Sequence, residues 1–161
     1  MDQTHLHLLT NHVSLFGFVF GLLILVLGMF RKSEELKLGA AIIFVIAGLM
    51  ILPAYQTGEG AEDTVEELAG VRHDDIEEHE DSANFARIAA LVMAVLAGYS
   101  LFKYRKTKSI PKGLTIAMLV IGLWGFTVIA RTAYLGGFIR HSEIHQTGAE
   151  IAPASDDKDN Q

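Results

Sequence analysis

Four long apolar runs, separated by short polar segments, divide this chain of 161 residues. A helix needs about 20 mostly apolar residues to cross the hydrocarbon core of a bilayer. The runs predict membrane spans at about 8–30, 38–55, 84–102 and 112–139. The sequence has no cysteine, which excludes disulfides, thiolate metal sites and attached c-type haem. We therefore expect an all-α integral membrane protein.

The two signs of charge are separated along the sequence. Basic residues cluster at 31–37 and 103–112, whereas acidic residues crowd 59–81 and 149–159. Basic loops of membrane proteins usually face the cytoplasm. Both termini and the 56–84 loop are therefore expected on the outer, periplasmic side of a bacterial inner membrane. Four helices in sequence favour an up-down-up-down bundle.

The membrane domain is expected to cover residues 1–147, and the acidic tail 148–161 is expected to be disordered. Residues 61–69 have the pattern of a short amphipathic helix within the outer loop. Pro53 predicts a kink or an end in the second helix. The lipid bilayer is the expected partner. No basic patch with interleaved aromatic residues lies outside the membrane-flanking loops, so we expect no nucleic-acid partner.

All seven histidines fall on the side that this topology places outside. Imidazole is the commonest ligand of transition metals, and imidazole mixed with carboxylate suits iron, zinc or copper. Helix bundles build such sites from side chains on facing helices. The predicted metal ligands are His5, His12, Glu62, His79 and His141.

The first helix carries three of these histidines on two faces. His5 and His12 are one heptad apart and share a face, whereas His7 points roughly opposite. No short motif such as His-Glu-x-x-His is present, so the ligands would have to come together from distant segments. The alternative for each histidine is a solvated residue or a structural hydrogen-bonding residue.

The end of the fourth run carries ionisable side chains. If the helix continues through Gly136 and Gly137, then Arg131, Tyr134 and His141 lie on one face. Ionisable groups at membrane depth usually face a protein interior or a cavity. This face is therefore expected to point inward.

Haem b is the alternative occupant of the same region. Two neutral histidines from different helices would hold the iron, and Arg131 or Arg87 would pair with the propionates. The predicted cofactor-binding residues are Arg87, Arg131 and Tyr134. Their alternative is an ordinary role in ion pairing, packing or the aromatic belt of the membrane.

Several short motifs resemble a family of four-helix bacterial membrane proteins, the domain-of-unknown-function family number two-two-three-one. The motifs are the His5 and His7 pair, Gly58 to Glu62, His79, and Gly136 to Ser142. The resemblance covers roughly residues 4–145, and where the family has a proline after its first histidines this chain has Thr10-Asn11-His12. It implies the bundle fold, and it implies that these histidines are the ones to test as haem or metal ligands.

Three classes of function remain open from the sequence. The first is a metal or haem protein that exchanges electrons with a quinone or a periplasmic carrier. The second is a structural or accessory subunit of a larger membrane complex or homo-oligomer, without a cofactor of its own. The third is a small transporter, which the absence of an inverted repeat and of broken helices disfavours. No hydrolase or transferase signature is present.

Overall fold

The computed structural model describes residues 3–60 and 73–140. These residues form four α-helices and no strand: α1 (Gln3–Arg31), α2 (Glu34–Glu59), α3 (His73–Thr107) and α4 (Lys112–Arg140). All four are long and apolar enough to cross a membrane. The prediction of an all-helical chain with four such helices is confirmed. The amphipathic helix predicted at 61–69 and the tail at 148–161 lie outside the described residues.

Neighbours in sequence are neighbours in the bundle. Helix α2 packs against α1 and α3, α4 packs against α3, and a smaller contact between α4 and α1 closes the ring. Hydrogen bonds join the start of α1 to the end of α2, and the start of α3 to the end of α4. These four helix ends therefore meet at one end of the bundle, and the two tight loops lie at the other.

The core is built from a few large side chains set among small ones. Phe18, Phe44 and Met93 are fully buried, and the two phenyl rings meet edge to face with centres 5.7 Å apart. Lipid tails are as apolar as leucine, so helices in a bilayer associate through close packing. At Gly48 a Cβ atom would lie 2.5 Å from the carbonyl oxygen of Ala90. Only glycine allows α2 and α3 to approach this closely.

The end of α2 differs from the expectation, whereas α4 continues along its predicted span. Helix α2 does not end at Pro53 but continues to Glu59, and the Thr57 hydroxyl donates to the carbonyls of Pro53 and Ala54. Proline removes only the N–H that would bond to the carbonyl of Leu49, so the helix can continue on both sides of it. Helix α4 remains regular through Gly136 and Gly137. Its last turn therefore stays beside the start of α3.

Candidate metal centre

A small cavity lies between the four helices at the end where α1 begins. It has about 30 Å³ of water-accessible space, enough for about two ordered water molecules. Its polar lining comes from His7, Asn11, Tyr55, His79 and Thr132, while alanine and isoleucine side chains form the rest. The cavity therefore combines a mostly apolar wall with two imidazoles.

His7 is held in this cavity by helix α2. Its Nδ1 lies 2.7 Å from the carbonyl oxygen of Ala54. His7 is one of a heptad series, with Ser14, Gly21 and Gly28, whose other members are buried between helices. Buried Ser14 donates its hydroxyl to the carbonyl oxygen of Ala47 at 3.0 Å. The face of α1 that packs on α2 therefore carries His7 to the cavity.

His79 is held by helix α4 in the same manner. Its Nδ1 lies 3.0 Å from the carbonyl oxygen of Thr132. The Thr132 hydroxyl lies 2.7 Å from the hydroxyl of Ser82, one turn further along α3. Both hydroxyl-bearing residues are almost fully buried. The ring of His79 is thus fixed by backbone and side-chain contacts that cross from α3 to α4.

These two hydrogen bonds define the tautomer of both rings. A carbonyl oxygen only accepts hydrogen bonds, so Nδ1 of His7 and of His79 must each carry a proton. In the neutral imidazole, Nε2 then keeps its lone pair. Metal-bound histidines commonly have this arrangement, with Nε2 on the metal and Nδ1–H donating to a backbone carbonyl. When neutral, both rings would therefore have an Nε2 lone pair available for a metal.

The two imidazoles are also close to each other. Their ring centres are 6.4 Å apart, and their planes cross at 75°. Two imidazoles bound to one ion place their ring centres roughly 5–6 Å apart, because each metal–nitrogen bond is about 2.1 Å. The observed separation of 6.4 Å is slightly above that range. We call these two residues the His7–His79 pair.

Glycines provide the space in which both rings lie. A Cβ atom at Gly58 would be 3.1 Å from Cε1 and Nδ1 of His7. A Cβ atom at Gly136 would be 3.1 Å from Cε1 and 3.4 Å from Nδ1 of His79. Contacts this short would push the rings, so a larger residue at either position would disturb the pair. Gly58 and Gly136 are therefore positioning residues.

A second polar cluster lies beside the cavity. The Asn84 side-chain oxygen accepts from the Tyr55 hydroxyl at 3.2 Å and from Arg87 Nη2 at 3.0 Å. The Arg87 guanidinium carbon lies 4.1 Å from the centre of the Tyr55 ring. Such a cation–π contact holds a cation against an aromatic wall. Arg87, a predicted cofactor-binding residue, thus packs against Tyr55 in the cavity wall.

Among the predicted metal ligands that the structure describes, one lines the cavity and two do not. His79 lines the cavity, whereas His5 and His12 are exposed. His12 contacts its own helix, with Nδ1 2.5 Å from the Leu8 carbonyl oxygen. Glu62 and His141 lie outside the described residues.

His7 is not among the five predicted metal ligands, although the family resemblance implies testing it. His5 and His12 were preferred, and they lie on the exposed face of α1, which also carries exposed Phe16. The heptad series of small residues that starts at His7 is the signal that would have identified the inner face.

The expected inward orientation of the α4 face is wrong for Arg131 and Tyr134. The Tyr134 side chain is 65% exposed and packs edge to face on Phe138, with ring centres 4.8 Å apart. Arg131 Nη2 lies 2.9 Å from a carboxylate oxygen of Glu78, and both side chains are more than half exposed. The inner face of α4 at this level carries Thr132 and Gly136 instead, because these smaller residues fit against α3.

Within residues 3–60 and 73–140, no three His, Cys, Asp or Glu side chains converge on one point that could hold a metal ion. A metal held by the His7–His79 pair would have two nitrogen ligands, and any further ligand would come from Asn11, from water or from elsewhere in the chain. The water-accessible space of about 30 Å³ is much smaller than a porphyrin.

No protein-family model, curated protein or solved structure matches this chain. The resemblance to the family of unknown function stays a prediction. The arrangement of the His7–His79 pair is therefore the basis for a functional conclusion.

Proposed function

We propose that this protein binds a single transition-metal ion between His7 and His79, at the outer face of a bacterial inner membrane. The supporting observation is the matched state of the two rings, because each donates Nδ1–H to a backbone carbonyl of the neighbouring helix. Both Nε2 atoms therefore keep a lone pair. Glu62 and His141 stay predicted as further ligands.

The size of the cavity favours an ion over haem b. About 30 Å³ of free space suits one ion with a bound water, whereas a haem would require the helices to separate. Imidazole ligands suit zinc, copper, iron or nickel. An iron or copper ion would make electron transfer the natural role, while zinc has no redox chemistry and would exclude it.

Metal content of the detergent-purified protein tests the proposal. We expect close to one ion per chain in the wild type, and a loss of at least about 10-fold in affinity in His7→Gln and in His79→Gln. Glutamine retains a donor for the Ala54 or Thr132 carbonyl, so the bundle should still fold. His12→Gln is the matched control, because His12 is exposed on the same helix as His7.

A wild type without bound metal, after growth and purification without chelators, would refute the metal proposal. Equal metal content in wild type, His7→Gln and His79→Gln would refute the choice of ligands. Iron in the wild type calls for an absorption spectrum, since a Soret band would bring back the haem alternative.

A structural or accessory subunit is the second candidate function. The same two imidazole bonds cross between helices, so they also hold the bundle together. This role predicts that His7→Ala and His79→Ala lower the thermal unfolding midpoint of a metal-free protein. It also predicts co-purification of partner subunits in fixed stoichiometry.

Outward orientation of the cavity is part of the proposal, and the absence of native cysteine makes it easy to test. Gln56 and Ser109 are exposed at opposite ends of the bundle. A membrane-impermeant maleimide should label Gln56→Cys in intact cells but should label Ser109→Cys only after lysis. The reverse result would place the cavity in the cytoplasm.

A further inference from the structure

The end of the bundle opposite the cavity is strongly basic. Eight lysines and arginines, but only two glutamates, lie in segments 31–37 and 103–112. Six of the basic residues are exposed: Arg31, Lys32, Arg105, Lys106, Lys108 and Lys112. We call these six residues the basic end. Its charge contrasts with the net charge of −6 for the whole chain.

The two segments form one continuous surface. A carboxylate oxygen of Glu34 accepts from the backbone amide of Ile110 at 2.7 Å, and the other oxygen pairs with Lys37. Glu35 accepts from the Ser33 hydroxyl at 3.0 Å. Both glutamates are thus held by local donors within the loops, and the Glu34 bond ties one loop to the other. The exposed positive charge faces outward from a single platform.

Two of the exposed lysines occupy backbone conformations that favour glycine. Lys32 follows the end of α1 with φ 53°, and Lys108 follows the end of α3 with φ 56°. Helices often end with a residue in this left-handed conformation, and it is usually glycine because a Cβ atom is unfavourable there. Both tight loops of the bundle thus have a lysine where the backbone favours glycine. Lysine at each position therefore costs backbone stability relative to glycine.

The basic end borders an apolar, exposed surface. Phe30, next to Arg31, is 82% exposed, and Phe102 is 51% exposed. Lys106 Nζ lies 4.4 Å from the centre of the Phe102 ring. Ammonium groups are thus set directly beside side chains that suit acyl chains. This sequence of charged and apolar layers matches the headgroup and the upper acyl chain of a phospholipid.

From these observations we propose that the basic end binds the headgroups of anionic phospholipids. The basic end supplies the positive charge, and the bordering aromatic residues contact the acyl chains. Lys32 and Lys108 contact the lipid headgroup. Basic side chains beside a membrane surface each strengthen attraction to anionic lipid by about 5-fold. This binding site is independent of the His7–His79 pair.

Lipid binding to the detergent-purified full chain tests the proposal. The probes are phosphatidylglycerol and phosphatidylcholine with the same fluorescent acyl chain, titrated separately into mild-detergent micelles. We expect the wild type to prefer phosphatidylglycerol, and Lys32→Gly/Lys108→Gly to reduce that preference by about 25-fold. Lys32→Arg/Lys108→Arg retains both charges and should retain the preference.

The thermal stability of the glycine variant shows whether a loss of lipid binding is caused by unfolding. Glycine relieves the left-handed positions, so the variant should unfold at the same or a higher temperature than the wild type. An unchanged preference for phosphatidylglycerol in the folded glycine variant would overturn the proposal. Equal affinity of the wild type for both lipids would overturn it as well.

A competing ligand of the same chemistry is free phosphate. Inorganic phosphate, compared with chloride at equal ionic strength, should not displace the labelled phosphatidylglycerol. Specific displacement by inorganic phosphate would show a site for free anions and would overturn the lipid proposal. If Arg105→Gln/Lys106→Gln also lowers the preference by about 25-fold, the platform as a whole recognises the headgroup.

Discussion

Ser82 donates a hydrogen bond of 2.7 Å to the hydroxyl oxygen of Thr132 in the interior of the bundle. The direction follows from a second bond, because the only hydroxyl proton of Thr132 is donated to the Val128 carbonyl at 3.0 Å. The backbone carbonyl of Thr132 in turn accepts from His79. Thr132 thus connects the packed core to the candidate metal centre.

Thr132→Val should destabilise the protein without reducing metal binding. It removes the acceptor of a buried hydroxyl, which costs about 1–2 kcal/mol, but retains the carbonyl that orients His79. Ser82→Ala/Thr132→Val should be less destabilised than the sum of the single variants, with a coupling of about 0.6 kcal/mol. Reversible unfolding in mixed micelles measures these values. Strict additivity would show that the bond has no net effect on stability.

Gly136→Ala and Gly137→Ala should differ sharply in metal affinity. A Cβ atom at Gly136 would press on the His79 ring, whereas a Cβ atom at Gly137 would meet nothing within 4 Å. We expect Gly136→Ala to weaken metal binding about 10-fold, the usual scale for displaced supporting residues. Gly137→Ala should bind like the wild type. Competition with a chromogenic chelator measures both, and equal affinities would contradict the positioning role of Gly136.

Gly48→Ala should strongly destabilise the bundle, by about 1–3 kcal/mol. Its Cβ would collide with the Ala90 carbonyl and would lie 2.8 Å from the Cβ of Ala94, so α2 and α3 must separate. Gly98→Ala is the matched control, since a Cβ there meets nothing within 4 Å. It should stabilise α3 by up to about 1 kcal/mol. Thermal unfolding compares the two, and equal midpoints would contradict close packing at Gly48.

Arg131→Gln should change stability by less than about 1 kcal/mol and should not change the metal content. The Arg131–Glu78 ion pair is more than half exposed on both sides, and such pairs contribute little. Metal analysis beside thermal unfolding checks both expectations. A loss of cofactor in Arg131→Gln would instead support its predicted role in pairing with haem propionates.

The helices could be predicted from sequence because membrane spanning imposes a simple rule on length and polarity. The four apolar runs identified all four, but α2 extends to Glu59 and α3 begins at His73. Helical hydrogen bonding continues into polar flanks that a count of apolar residues leaves out. The bonds of Thr57 to carbonyls on its own helix illustrate this continuation.

The site was harder to predict because two faces of α1 both carry histidine. His5 and His12 occupy the exposed face, and His7 occupies the face that packs on α2. In lipid both faces are apolar further along, so hydrophobicity does not separate inside from outside. Residue size does separate the two faces, because the small residues Ser14 and Gly21 continue the heptad series of His7. The partner carbonyls of Ala54 and Thr132 belong to the backbone, and no sequence pattern identifies them.

The small volume of the cavity has a consequence for which ions could reach the His7–His79 pair. About 30 Å³ accommodates a bare ion with one water, not an ion that keeps its whole hydration shell. If the pair binds an ion, that ion would exchange water for imidazole as it enters. Mg²⁺ dehydrates reluctantly, so the bundle would reject it before any ligand preference acts. Selectivity in this protein would begin with dehydration, which the spacing of the helices imposes.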